Sequence, residues 1–482
     1  MDQSNLPLVQ ALKQYIGENA LRQHMPGHKG GAGAPLPAQE LLGSQLWQAD
    51  VTEIVGLDDL QEPDGCIAEA QRLLADLYGA ANSFFLINGS SVGIAALLLA
   101  CLRPGDEILV PRNAHRAVLS GLILSGAKPI FVQVRQDESS GAPLGLDTVD
   151  FLQAVEAHPQ AKAAFFVNPT YQGVTGDLAA LIQICRKHGL VTLVDEAHGV
   201  HFPWLPAGFL PMALSCGADA CVQSAHKLAG SLTQSAWLHM GQGSALDLGR
   251  VKSALQWLQS SSPSYVLLAS LDAARWQLAQ EGKERLRRLW EQAEQLRRRW
   301  QALAGVDVFG GVEGTLAAPF QMDITKITLA VRGWSGHAAA AQLRRQGIAV
   351  EWADEERLLL LLSLADAGQN WERLEEALPQ LLRLSIPGRF LQETMALPPV
   401  PPQRLTPREA AMAEYRSVWL QEAQGLIAGE AITPYPPGIP LVLPGEELTA
   451  EVLAWIAVCK HQGQHMSGMA DSTLETIRVV WK

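Results

Sequence analysis

The stretch Ala218 to Gln234, reading ADACVQSAHKLAGSLTQ, places an amine where a strand should run out. An apolar, β-prone run from Ala220 to Val222 gives way to Ser224-Ala225-His226-Lys227, and a turn of small residues follows. A lysine in that position is a candidate nucleophile, because its amine condenses with carbonyls to a Schiff base. Pyridoxal 5'-phosphate (PLP) chemistry needs one such lysine together with an anion facing the ring nitrogen. Asp195 is the matching carboxylate: it closes the apolar run Leu190 to Val194 and stands about one strand-helix-strand unit upstream of Lys227. A lone lysine is ordinarily a solvated surface residue, so the pair gains meaning only from its surroundings.

Other stretches carry chemistry of their own. Asn88-Gly89-Ser90-Ser91 precedes an apolar helical segment, Val92 to Leu102. Backbone N–H groups, two hydroxyls and the positive end of a helix dipole would suit a phosphate there, although a plain serine N-cap explains the same residues. HMPGHKGGAGAPLP, with glycines at 27, 30, 31 and 33, allows close backbone approach, and a simple loop is the plainer reading. Asp50 to Asp64 holds six carboxylates and no basic residue. Such a run is ordinarily a solvated face or a set of helix caps, and otherwise lines a site for a cation.

Rival chemistries fare less well. Val194-Asp195-Glu196-Ala197-His198 contains the DEAH signature of helicase-type ATPases, but those enzymes need GxxxxGK[ST], and Gly-Lys followed by Ser or Thr occurs nowhere. His198 and His201, with His24, His28, His115 and His226, offer metal ligands without a compact ligand motif, so no metal is expected. A noncatalytic binding or scaffold protein is the alternative if Lys227 is idle.

The elements that must position these residues follow from the patterning. Apolar runs at 84–87, 108–110, 130–134, 163–167, 190–194 and 220–222 alternate with helical segments, as in a largely parallel sheet covered by helices on both faces. Ligands in such sheets gather at the carboxyl ends of strands, where Ser90, Asp195 and Lys227 fall. Residues 240–305 read as helical, with a long amphipathic helix from Arg275 to Ala304 whose Trp290 and Trp300 face a core. A smaller α/β region follows, with a strand at 327–331, a helix near 338–346 and an apolar run at 358–364. LPPVPPQRLTP (397–407) reads as a linker, and Thr406-Pro407-Arg408-Glu409 starts a new helix with a capping box. PYPPGIPLVLPGEE (434–447) reads as a rigid loop ending near two carboxylates.

At 482 residues the chain exceeds one core. The expected division is an N-terminal arm (1–50), a large cofactor-binding domain (51–305), a small α/β domain (306–396) and a C-terminal domain (397–482). With 48% hydrophobic and 18% charged residues it is globular, and a net charge of −12 argues against nucleic-acid binding. Six cysteines without a Cys-x-x-Cys pair suit a reducing compartment. The longest apolar run, Ile94 to Leu102, is nine residues and no signal-peptide pattern opens the chain, so a cytoplasmic protein away from membranes is expected.

HMPGHKGG, DVTEIVGLDDL, NGSS, PRNAHRA, NPTYQGVTGD, VDEAHG, SAHK followed by LTQS, and PYPPGIPLVLPGE occur in that order from residue 24 to about 446. In these motifs the sequence resembles the Orn/Lys/Arg decarboxylase family of fold type I PLP enzymes, in the short form that lacks an N-terminal receiver-like wing domain. The resemblance implies an aspartate aminotransferase-like α/β large domain with a mainly parallel sheet, a smaller α/β domain and a C-terminal domain. It implies that Lys227 holds PLP covalently, that Asp195 pairs with the pyridine nitrogen, and that His115 stacks on one ring face with Ala197 against the other. Ser90, Ser91, Ser224 and His226 would hold the phosphate. His198 stands near the ring hydroxyl, where relatives often have Trp.

The implied reaction is decarboxylation of a basic amino acid, arginine to agmatine ahead of lysine to cadaverine and ornithine to putrescine. An aminotransferase or a carbon-carbon lyase on the same fold is the alternative. The acidic run 50–64 and Glu446 and Glu447 are the carboxylates placed to meet a distal cation. A homodimer or an assembly of dimers is implied as well.

Overall fold

The computed structural model describes residues 1–138, 140–205, 210–384, 398–435, 439–462 and 465–481. The first residue of the 397–407 linker and residues 436–438 of the proline-rich loop lie outside them. The chain forms two compact units. One comprises Met1–Cys101, Val194–Arg287 and Ser363–Ala365, and the other Leu102–Leu193, Arg288–Leu362 and Asp366–Lys482.

The central element is a seven-stranded sheet. Its strands are β1 (Asn82–Leu86), β2 (Glu107–Pro111), β3 (Lys128–Val132), β4 (Ala163–Val167), β5 (Val191–Asp195), β6 (Ala220–Gln223) and β7 (Ala236–Met240). They lie in the order β1-β7-β6-β5-β4-β2-β3. Strand β2 runs parallel to both β3 and β4, as the alternation of strand and helix requires. Six strands coincide with the six apolar runs. The seventh, β7, is the exception: it pairs antiparallel with both β1 and β6. All five of its residues, AWLHM, are buried, so the run has no period-two pattern to announce a strand.

Helices in the first unit explain themselves locally. Helix α1 (Pro7–Gly17) starts with Pro in its first turn and buries Leu8, Leu12 and Tyr15. The segment before it is tied down by the buried pair Arg275–Asp272: Arg275 donates to the carbonyls of Gln3 and Asn5, and Asp272 accepts from Leu8 N–H. Helix α2 (Cys66–Tyr78) is capped by the Asp58 carboxylate, which accepts from the N–H groups of Gly65, Ile67 and Ala68. Helix α3 (Gly89–Cys101) is buried almost all round, as its sequence GSSVGIAALLLAC requires.

In the second unit helix α4 (Arg116–Ser125) follows β2. The long helix α5 (Tyr265–Gln301) begins earlier than the charged pattern indicated, because its first turns, with Leu268 and Leu271 buried, are too apolar to show an amphipathic face. Trp300 is buried on it, whereas Trp290 is only half-buried. A second sheet of four antiparallel strands holds β8 (Val306–Val308), β9 (Lys326–Val331), β10 (Trp352–Ala353) and β11 (Arg357–Leu361) in the order β8-β9-β11-β10. The helix Pro407–Met412 carries the expected capping box between Thr406 and Glu409. Beyond it Ile432, Leu441, Val442, Leu448, Val452 and Ile456 form a separate hydrophobic cluster. Among the described residues no helix is long and apolar enough to cross a membrane.

Candidate active site

Strand β1 hands over to α3 through Asn88 and Gly89, and Gly89 takes a positive φ of 77° that a residue with a side chain would resist. The turn is strapped by Gln259 Oε1, which accepts from Ile87 N–H, by Gln234 Nε2, which donates to Ile87 O, and by Asn88 Oδ1, which accepts from Ser260 N–H. Ser90 and Ser91 therefore sit in the first turn of a buried helix, Ser91 exposed. Ser224 Oγ donates to Ser90 Oγ at 2.9 Å, so two hydroxyls meet at the positive end of that helix.

Two neighbouring strand ends supply the other groups. Asp195 closes β5 as a buried carboxylate, its Oδ1 accepting from Ala197 N–H at 3.0 Å. The turn after it is sewn to the end of β6: Glu196 N–H donates to Val222 O and Ser224 N–H to Ala197 O. Ser224 precedes a single helical turn, Ala225–Leu228, that carries His226 and Lys227. The Lys227 amine lies 2.7 Å from His198 Nε2. Burial, followed by the charge of Lys227, pulls His226 below its ordinary 6.5. The structure thus brings Ser90, Asp195, Ala197, His198, Ser224 and Lys227 into one hydrogen-bonded set. His115 stands in the second unit as the N-cap of α4, exposed, its Nδ1 accepting from Ala117 N–H at 3.2 Å.

This donor set fits PLP. An amine for the aldehyde, a buried carboxylate for a ring nitrogen, and hydroxyls at a helix amino end for a phosphate are the three contacts such a cofactor requires.

A second layer of polar residues went unread in the sequence. Ser83 on β1, His239 on β7, Gln223 on β6 and Glu196 just past β5 are all buried, one from each of four adjacent strands. Ser83 Oγ lies 2.7 Å from His239 Nδ1, His239 Nε2 lies 3.3 Å from Gln223 Oε1, and Gln223 Nε2 donates to Glu196 Oε2 at 2.7 Å. Ala213 N–H donates to Glu196 Oε1 at 2.7 Å. Burial pushes the Glu196 carboxyl up to about 8 against these donors, and pulls His239 down to about 3. The available signal was a polar residue at the end of, or inside, an otherwise apolar strand, as in ACVQ and AWLHM.

The carboxylates expected to meet a distal cation are mostly engaged elsewhere. Glu446 is fully buried and takes Arg112 through both oxygens, at 2.5 and 2.8 Å, while accepting from Leu443 N–H. Arg112 also donates to the carbonyls of Pro440 and Leu441, so this ion pair is a structural clasp rather than a substrate contact. Glu447 pairs with Arg404. Within the acidic run Asp58 is a helix cap and Asp50 accepts from His28 at 3.1 Å. Burial and the neighbouring Asp59 push Glu53 up to about 7.

The chain is similar to known proteins. A family model described as Orn/Lys/Arg decarboxylase, major domain, matches residues 6–320, and one described as Orn/Lys/Arg decarboxylase, C-terminal domain, matches residues 390–474. An arginine decarboxylase of Bacillus subtilis (strain 168) is 37% identical over 487 residues, spanning 100% of this chain and 99% of its own. The structure of the constitutive lysine decarboxylase of E. coli is similar with a TM-score of 0.84 at 22% identity, covering 100% of this chain and 82% of that one. An alanine–glyoxylate aminotransferase from Nostoc sp. is similar with a TM-score of 0.52 at 18% identity, covering 66% of this chain and 86% of that one.

Proposed function

Because the chain belongs to the Orn/Lys/Arg decarboxylase family, we propose that it is a PLP-dependent decarboxylase that converts arginine to agmatine and CO2. The observation that carries the reading is the placement of Lys227 and Asp195 at the ends of adjacent strands, with the paired hydroxyls of Ser90 and Ser224 at the start of a buried helix. Arginine ranks ahead of lysine because the relative named for arginine is 37% identical over the full length, against 24% for a lysine decarboxylase of Pseudomonas aeruginosa.

When bound, PLP supplies the electron sink that accepts the bonding pair left by the departing carboxylate. The chain's own residues prepare that step. Lys227 is the nucleophile, and His198, 2.7 Å from its amine, is placed to take or return a proton there. Asp195 would keep a proton on the pyridine nitrogen, and its burial would strengthen that contact. Ser90, Ser91 and Ser224 would donate hydroxyls to the phosphate, and His226, its affinity for a proton lowered, is suited to hydrogen-bond there in its neutral form. By the likeness to that family, His115 and Ala197 would lie against the two faces of the ring.

The assembly is a homodimer or an assembly of dimers. Leu21, Met25, Leu36, Leu41 and Val55 expose large apolar side chains in the N-terminal segment, as an interface would. A cytoplasmic location is supported by six free cysteines.

The test is an assay of the purified protein with added PLP, following agmatine, cadaverine and putrescine from arginine, lysine and ornithine in parallel. Agmatine formed with clear preference is the expected result. A preference for cadaverine or putrescine overturns the substrate, and no amine despite the visible absorbance of lysine-bound PLP overturns decarboxylation of a basic amino acid. Loss of both overturns the whole reading.

A further inference from the structure

We propose that Glu196 is a positioning residue for Asp195 and Lys227, acting through the row of buried polar side chains that crosses the four strands β1, β7, β6 and β5. The inference rests on the PLP reading of the site. Chemistry fixes the direction of every link in the row. Gln223 gives its amide NH2 to Glu196, so its Oε1 is the acceptor facing His239. That contact requires the proton of His239 on Nε2, which leaves Nδ1 to accept from the Ser83 hydroxyl. At the far end both carboxyl oxygens of Glu196 are acceptors, one from Gln223 and one from Ala213 N–H. In a directed chain of this kind no link reverses without the others, so its members stiffen together.

The row meets the site at its most sensitive point. Glu196 follows Asp195 directly, just past the strand, and its N–H is tied to Val222 O, so holding its side chain in the row fixes the backbone from which Asp195 presents its carboxylate. Gln223 is the last residue of β6 and directly precedes Ser224, which opens the turn carrying Lys227. The Glu196–Gln223 bond therefore pins both strand ends to each other where they hand over to reacting groups. Two close fits lock the carboxyl in place. A Cβ on Gly199 would come within 2.6 Å of Glu196 Cγ, and Gly199 N–H donates to Glu196 O. Tyr78 stacks on His239 at 4.6 Å and donates its hydroxyl to Val200 O, holding the same turn from the other end of the row.

The test exchanges acid and amide. Glu196→Gln keeps the shape but presents an NH2 to Gln223, which the row can receive only by flipping the Gln223 amide, moving the His239 proton to Nδ1 and turning the Ser83 hydroxyl away. Combining it with Gln223→Glu restores every link: the new amide at 196 accepts from Ala213 and donates to the new carboxyl at 223, whose second oxygen accepts from His239. For the single variant we expect kcat to fall about 10- to 100-fold with KM little changed. We also expect an altered visible circular dichroism of bound PLP, and faster amide hydrogen exchange at residues 195–198 in the PLP-free chain. The double variant should return all three to within about threefold of wild type, since one bond's worth of misplacement is all that separates them. Wild-type behaviour of Glu196→Gln overturns the proposal. So does a double variant as impaired as the single one, which would mean that the carboxyl at 196 acts by itself. A wild-type protein that neither binds PLP nor releases an amine sinks the proposed function instead, and the hydrogen-exchange comparison still decides the role of Glu196.

Discussion

Two consecutive carboxyls, Asp195 and Glu196, end one strand and meet different surroundings: the first accepts a single backbone N–H beside the lysine, the second sits in the polar row. Lys227→Ala should abolish turnover and the visible absorbance of lysine-bound PLP. Asp195→Asn should lower kcat at least about 10- to 100-fold, the worth of one charge-assisted bond. Amine release and the absorbance spectrum check both. Glu196 has a thermodynamic signature of its own, because burial raises its carboxyl from the ordinary 4.5 to about 8. The folded chain keeps that proton to higher pH than the unfolded chain does. Its contribution to stability is therefore whole below about pH 4.5 and is lost as the pH rises toward 8. Asp195 adds to the shift, Cys221 and Tyr78 are pushed up and stay neutral, and His239 is pulled down to about 3, so Glu196 is the member of this cluster that titrates across the window. Melting temperatures of wild type and Glu196→Gln should accordingly converge or cross between about pH 5 and about pH 8, the wild type losing ground. Lys227, Asp195 and Ser90 were legible because they stand where apolar runs stop. Glu196 and Gln223 were not, since an acid beside another acid and an amide ending a strand announce no partner, and Glu446 reads as a loop carboxylate until the fold brings Arg112 to it.

Elements were legible in proportion to how much of their pattern is local. Helix α2 follows from its amphipathic sequence and from Asp58, whose carboxylate satisfies N–H groups that the first turn leaves without carbonyl partners. Asp58→Ala should therefore cost about 0.5–2 kcal/mol, and toward the upper end because several donors lose their acceptor together. A urea titration of the full chain measures it, and an unchanged midpoint would mean that water replaces the carboxylate. The capping box at Thr406 is equally local and was equally plain. Strand β7 was hidden for the opposite reason. It is buried on both faces, borders a segment read as helical, and pairs on one side with a strand far away in the chain.

For the molecule as a whole, the Arg112–Glu446 clasp ties the end of β2 to the loop that leads into the C-terminal hydrophobic cluster. A buried pair of this kind is costly to halve and cheaper to replace outright. Arg112→Met should destabilise the protein by about 3–5 kcal/mol, and adding Glu446→Leu should recover part of the loss. Denaturant midpoints of the two variants test this; equal destabilisation would mean that the contacts of Arg112 to Pro440 and Leu441 matter more than the charge pair. The register of β1 against β7, Asn82 opposite Met240 and Leu86 opposite Ala236, also governs how this protein comes into being. The first strand of the large sheet to leave the ribosome pairs with the last one. Until translation has passed Met240, β1 must wait with an unmatched edge and the apolar helix α3 attached to it, so the nascent chain carries an aggregation-prone edge through most of the synthesis of this sheet.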